Sequence, residues 1–454
     1  MIMDWTKLLD TRLLGAEERE PSEDRPHSAQ DYDRLVFSAP FRRLANKTQV
    51  HPLYADDHLH HRLIHSIETS SVGRSLGLQV GHWLESEGRI AGGARHIVSG
   101  VVQAAAIAHD IGNPPFGHSG ESAIGDWFAS GFKEGGAIFD GLSSEERSEL
   151  ENFEGNAQGF RLLTRLEMYR NAGGMQLSYA TLGAFSKYPT LCATSKAKKD
   201  QAEKAGEAVY KGLKKYGLFR SEYSIFEQVA GRLGLIEGGI VEGRKWWRRH
   251  PLVLLVEAAD DICYNIIDLE DAVNAGDLPA EQVKALLAEV FGGTSRQFDE
   301  ANEEIAYYRA RAIGSAIPAC VEAFKSHYDA IMVGEFSGAL VDQSAQAVAF
   351  GEIEKAANKQ IFTAPRKTRL EVAGRAILHR VLDGLLPVLK ALQEKKWNQD
   401  ELPDHLRQIV SATQIDLRDV RDEYSALQAL ADYVSGMTDR YAVKVDRILS
   451  GRID

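Results

Sequence analysis

Apolar residues recur every three or four positions along Val98–His109, His250–Ala275 and Arg375–Leu392, each stretch running ten or more residues. That is the period of a helix with one face turned to a core. Val-rich alternating runs bounded by turn dipeptides, the mark of strands, are scarce. The chain therefore reads as all-α, a helical core with a C-terminal helical extension. Punctuation falls at Gly112-Asn113-Pro114-Pro115, Gly135-Gly136 and Gly238-Gly239, where helices stop or the chain turns. We expect an N-terminal arm over 1–29, a helical core over 30–290 with a polar excursion at 130–150, and a C-terminal helical region over 291–454. Leu13–Arg34, charged and holding Pro21 and Pro26, is expected to run as a loop or extended arm.

At 454 residues, 44% hydrophobic and 26% charged, the chain has ample core for a globular protein. A collagen-like, mucin-like or wholly disordered chain is excluded. No stretch approaches the roughly 20 continuous apolar residues of a membrane span. Met1-Ile2-Met3-Asp4-Trp5 lacks the basic-then-apolar start of a secretory signal. Cys192, Cys263 and Cys320 are far apart and form neither a disulfide framework nor a zinc-ligand spacing, which suits a reducing cytoplasm. The net charge of −12 argues against a surface built wholly to coat nucleic acid. Local basic patches stay open.

Five of the fourteen histidines, His51, His58, His60, His61 and His65, fall in one short stretch. Clustering favours a function without choosing among them. His109-Asp110 ends the apolar run Val101–Ala108, where either group is costly to bury unless paired or bound to a cation. The helix must stop at Gly112 and the prolines. Its C-terminal partial negative charge favours a metal held by a neutral imidazole and a carboxylate; a buried His–Asp hydrogen bond is the plainer alternative. His118 and Glu121, three apart at the start of the next helix, suit a general acid–base pair. Equally, Ser119 caps that helix and Glu121 merely favours its first turn. Asp260, Tyr264 and Asp268 lie at i, i+4 and i+8, one polar stripe on a largely apolar helix. Such a stripe needs arginines, or a metal with a hydroxyl-bearing ligand, to offset it.

Taken together, His65, His109-Asp110 and Asp260 resemble the H…HD…D pattern of the HD-domain phosphohydrolase superfamily. The longer strings resemble the deoxyguanosinetriphosphate triphosphohydrolase (dGTPase) family more specifically. They are Leu44–Val50, Arg62–Ser66, Ala108–His118, Asn152–Gln158, Glu257–Tyr264 and Gly436–Asp439, in family order over nearly the whole chain. The resemblance implies an HD-domain core at 30–290, with 291–454 completing the pocket and making subunit contacts. It implies hydrolysis of dGTP, and of other dNTPs, to deoxynucleoside and inorganic triphosphate. By matching motif, His65, His109, Asp110 and Asp260 would hold a divalent metal, Mn²⁺ or Mg²⁺ before zinc or iron. His118, oriented by Glu121, would serve the departing 5′-oxygen. Gln49, Tyr264 and Asp268 would surround the sugar, Tyr264 excluding a 2′-hydroxyl. Arg62 would contact base and phosphate, and Lys187-Tyr188 would bind phosphate. A hexameric homo-oligomer and single-stranded DNA as effector are further implications.

Two basic stretches bear on that effector. Ser186–Arg220 holds nine Lys/Arg against three Asp/Glu, and Arg244–Arg249 sets Trp246-Trp247 among four cations. Cations interleaved with aromatics grip single strands through phosphates and stacking; a solvated face is the other reading. Two alternatives to the dGTPase reading stand beside it. One is an HD-type nucleoside monophosphatase or phosphodiesterase. The other is a nucleotide- or single-stranded-DNA-binding regulator with a vestigial metal site.

Overall fold

The computed structural model describes residues 1–20, 25–47, 61–293, 301–361 and 365–452. The expected helices are present: Arg95–Ala108, Val253–Asn274 and Pro365–Glu394 cover the three periodic stretches. At the centre, helix Arg62–Ser86 lies antiparallel against Arg95–Ala108. A glycine stripe sets their approach. A Cβ on Gly73, Gly77 or Gly81 would come within 3.1, 2.9 and 2.8 Å of the facing helix. Helix Val253–Asn274 crosses this pair, and Ala301–Ser326 packs outside it. These elements make one apolar cluster, running from Met3 to Ile361.

A second cluster joins distant parts of the chain. Helices Gly117–Glu134 and Ser144–Glu151 pack with Pro365–Glu394, Glu423–Ser435 and Asp439–Leu449. The Trp127 indole N–H donates to Asp383 at 2.7 Å across that joint. Three buried thiols, Cys192, Cys263 and Cys320, are all free. No helix among the described residues is long and apolar enough to cross a membrane.

Several local expectations change. The 130–150 excursion is itself helical in part and buries Ile138, Phe139, Leu142 and Leu150. Leu13–Arg34 is no free arm: Leu13 and Leu14 are buried, and helix His27–Phe37 packs on Arg95–Ala108. One antiparallel hairpin, Glu237–Val241 with Arg244–Trp247, interrupts the helical order. Its turn residues Glu242 (φ 49°) and Gly243 (φ 77°) both take positive φ, as the turns that match strand twist require. Trp246 and Trp247 are 4% and 3% exposed, so neither offers a face for base stacking. The aromatic half of the single-strand reading at Arg244–Arg249 is thereby overturned; Gly238 must lack a side chain because the Trp246 ring lies on it.

Candidate metal centre

Helix Arg62–Ser86 carries His65 on its first turns, helix Arg95–Ala108 ends at His109, and helix Val253–Asn274 supplies Asp260. Their ligand atoms all lie within 4.8 Å of one another. His65 Nε2 is 3.1 Å and His109 Nε2 3.4 Å from Asp260 Oδ1. The imidazoles meet edge to face, with centroids 5.2 Å apart. His109 Nδ1 donates to the Ala106 carbonyl at 2.7 Å. That fixes its tautomer and turns the Nε2 lone pair into the cluster. Nε2 is buried and makes no hydrogen bond among the described residues. Cis ligands on a small divalent ion stand about 3 Å apart, so two imidazoles and a carboxylate at these distances fit one.

Asp110 stands at the edge of this group. Its Oδ1 is 3.6 Å from His109 Nε2, yet Arg62 Nη1 holds its Oδ2 and Asn113 Nδ2 its Oδ1, each at 2.5 Å. Arg62 thus pairs with a carboxylate. Burial opposes the Asp110 charge, but Arg62 and then His109 hold the carboxyl well below its usual range. Asp260 follows the same logic: burial raises it, while Lys187, at 3.0 Å from Oδ2, and His109 bring it well below. Behind it, Arg249 donates to Glu257 at 2.6 Å, one turn before Asp260.

The chain then turns sharply. Gly112 packs so tightly on helix Gly155–Arg161 that a Cβ would lie 2.1 Å from the Gly155 carbonyl. Phe116 and Gly117 take φ of 63° and 60°, and helix Gly117–Glu134 begins there, presenting His118. Ser119 does not cap it; Phe116 occupies that position without a side-chain hydrogen bond. His118 Nδ1 donates to Glu121 Oε2 at 2.6 Å, and its side chain is 80% exposed. Glu121 is buried, its Oε1 accepting from the Gly155 N–H at 2.8 Å. Burial raises Glu121, but His118 and Lys215 outweigh it and keep the carboxyl below its ordinary value. An oriented imidazole with an open Nε2 is able to move a proton.

Tyr264 and Asp268 follow Asp260 along the same helix, Asp268 buried. Burial first, then Asp268 and Asp260, pushes the Tyr264 phenol up. Tyr188 is likewise raised, chiefly by burial. Gln49, with His51, His58 and His60, lies outside the described residues. Sequence reasoning assigned no role to Asn113, Lys215 or Lys47. Lys215 sits 3.1 Å from Glu154 and 3.9 Å from Glu121; the basic run held it, but only the fold brings it to the acids. A cavity of about 830 Å³ lies elsewhere, between Arg161, Tyr169, Arg418 and Tyr433.

The HD domain model matches residues 62–152 and the phosphohydrolase-associated domain model residues 343–447. A deoxyguanosinetriphosphate triphosphohydrolase-like protein of Synechocystis is 37% identical over 99% of both chains. One from Pseudomonas aeruginosa is 38% identical, again over 99% of both. The deoxyguanosinetriphosphate triphosphohydrolase of Yersinia enterocolitica is 28% identical over 91% of each.

Proposed function

This chain belongs to the deoxyguanosinetriphosphate triphosphohydrolase family of HD-domain phosphohydrolases, and from that premise we propose that it hydrolyses dGTP to deoxyguanosine and inorganic triphosphate, with other dNTPs as further substrates. That it is a phosphohydrolase follows from the family itself. The observation that carries the finer reading is the buried, unbonded His109 Nε2 facing His65 and Asp260, with the His118–Glu121 pair one turn of chain away.

In this reading His65, His109, Asp110 and Asp260 hold the divalent metal, Mn²⁺ or Mg²⁺. When bound, the ion polarises the α-phosphate and lowers the pKa of a water. Every other step belongs to the chain. Glu121 holds the Nδ1–H of His118 and turns Nε2 to the open side, where its lone pair takes the proton released by the attacking water and hands it to the departing 5′-oxygen. Lys187, already beside Asp260, and Tyr188 take the triphosphate charge. Tyr264 and Asp268, and Gln49 by family resemblance, contact the sugar. Arg62 leaves Asp110 in part to meet phosphate or base.

A cytoplasmic location, a homo-oligomer (a hexamer by family resemblance) and single-stranded DNA as effector belong to the same proposal. With both tryptophans buried, the DNA would rest on the lysines of helix Cys192–Ala205. The test supplies all four dNTPs and GTP with Mn²⁺ or Mg²⁺ and separates the products by chromatography. Tripolyphosphate from dGTP, lost in His109→Ala, is expected. Orthophosphate or a monophosphate instead points to the phosphatase or phosphodiesterase alternative.

A further inference from the structure

Three sequence strings hold residues still without a chemical part: Leu44–Lys47, Asn152–Gln158 and Gly436–Asp439. In the fold they meet on the turn that joins His109-Asp110 to His118. Lys47, 3% exposed, donates from Nζ to the Asn113 carbonyl at 2.6 Å and to the Ser435 carbonyl at 2.8 Å. The Asn113 side chain in turn donates to Asp110 Oδ1. At the other end of the turn, the Phe116 N–H donates to Asp439 Oδ1 at 3.0 Å, with Asp439 1% exposed. Phe116 sits at φ 63°, a conformation that persists only where the surroundings over-determine it. The same C-terminal segment is pinned at Asp432, which accepts from Gln158 at 2.9 Å and twice from Arg161. An ammonium is costly to bury unless its N–H groups are satisfied. Here they are used to join two distant parts of the backbone.

We propose that Lys47 and Asp439 are positioning residues for the hydrolysis: they grip the 113–116 turn at its two ends and so set Asp110 and His118 in register across it. Neither touches the reacting atoms. The inference rests on the reading of His109, Asp110 and His118 as the catalytic centre, and its test carries a readout independent of turnover. Full-length Lys47→Met, Lys47→Arg, Asp439→Ala and Asp439→Asn are compared with wild type for dGTP kinetics and for Mn²⁺ binding by the nucleotide-free protein.

Lys47→Met and Asp439→Ala are expected to lower kcat about 10- to 100-fold, with KM within about threefold. Mn²⁺ affinity should fall about tenfold, as when a group supporting a ligand is lost. Lys47→Arg keeps donors and Asp439→Asn keeps an acceptor, so both should recover most of the loss. The double truncation should be no more than about threefold worse than the poorer single, because both act on one turn. Wild-type kcat and Mn²⁺ affinity in the truncations would overturn the idea. So would multiplying losses, or Arg and Asn variants as poor as the truncations. Should Lys47→Met fail to fold by circular dichroism, the Asp439 pair decides alone. A wild type inactive on dGTP would sink the substrate reading, while the Mn²⁺ affinities would still decide this one.

Discussion

Single side chains in this protein are read most clearly where hydrogen bonding leaves one protonation state. His250 is such a case outside the metal centre. Its Nε2–H donates to the Leu8 carbonyl at 3.0 Å, while Nδ1 accepts from the Leu252 N–H at 3.1 Å. Only the neutral ring satisfies both, and burial pushes the imidazole down to about 4. The unfolded value is about 6.5, so between these values the unfolded chain binds the proton and the folded one does not. The stability from His250 is therefore complete above about pH 6.5, is lost as pH falls towards about 4, and reaches at most about 3 kcal/mol. Thermal melts across that window should decline less steeply in His250→Gln than in wild type; parallel declines would refute the assignment. Among the candidate ligands, His109 and Asp260 were legible as residues because they interrupt apolar helical stretches, where a polar group needs a reason; His65 was singled out of its histidine cluster only by the family pattern. Lys47 and Asn113 gave no such signal: their partners are carbonyls and a carboxylate supplied by other parts of the chain, and no local pattern encodes those.

At the scale of elements, periodicity found the helices that bury apolar faces and missed those that bury polar ones. Helix His27–Phe37 buries Ser28, Gln30 and Asp31. Asp31 accepts from the Ser178 N–H and hydroxyl, so the segment reads as a charged arm although it is packed. The hairpin escaped because its inward pair, Trp246-Trp247, is adjacent rather than alternating. The glycine stripe of helix Arg62–Ser86 is equally silent in a hydrophobic pattern, since its contribution is the absence of side chains. Gly77→Ala would put a Cβ 2.9 Å from the Ser99 Cα, a backbone atom. We expect a loss of about 1–3 kcal/mol by urea denaturation, with reduced activity because His65 rides on the same helix. An unchanged midpoint would mean that the two helices part without cost.

For the whole molecule, a buried ion-pair network bridges the joint between the two apolar clusters. Arg161, nearly buried, donates to Glu222 at 2.6 Å and grips Asp432 through Nε and Nη2 at 2.9 and 2.8 Å. Asp432→Ala would leave that guanidinium half-paired in the interior, a defect that costs about 3–5 kcal/mol. The chemical denaturation midpoint should fall accordingly, and a shift below about 1 kcal/mol would show that the joint is held by apolar contact instead. None of this pairing was visible in the overall charge, which sums signs the fold keeps apart.

The second cluster has a consequence for how the protein is made. Synthesis proceeds from the amino end, and the first cluster can condense from residues up to Ile361. Helices Gly117–Glu134 and Ser144–Glu151, however, find most of their apolar cover in residues 377–445. A nascent chain therefore carries Trp127, Phe128 and Phe139 on an open face until that last portion leaves the ribosome. During that interval it is most prone to aggregate, and a folding helper has a surface to hold.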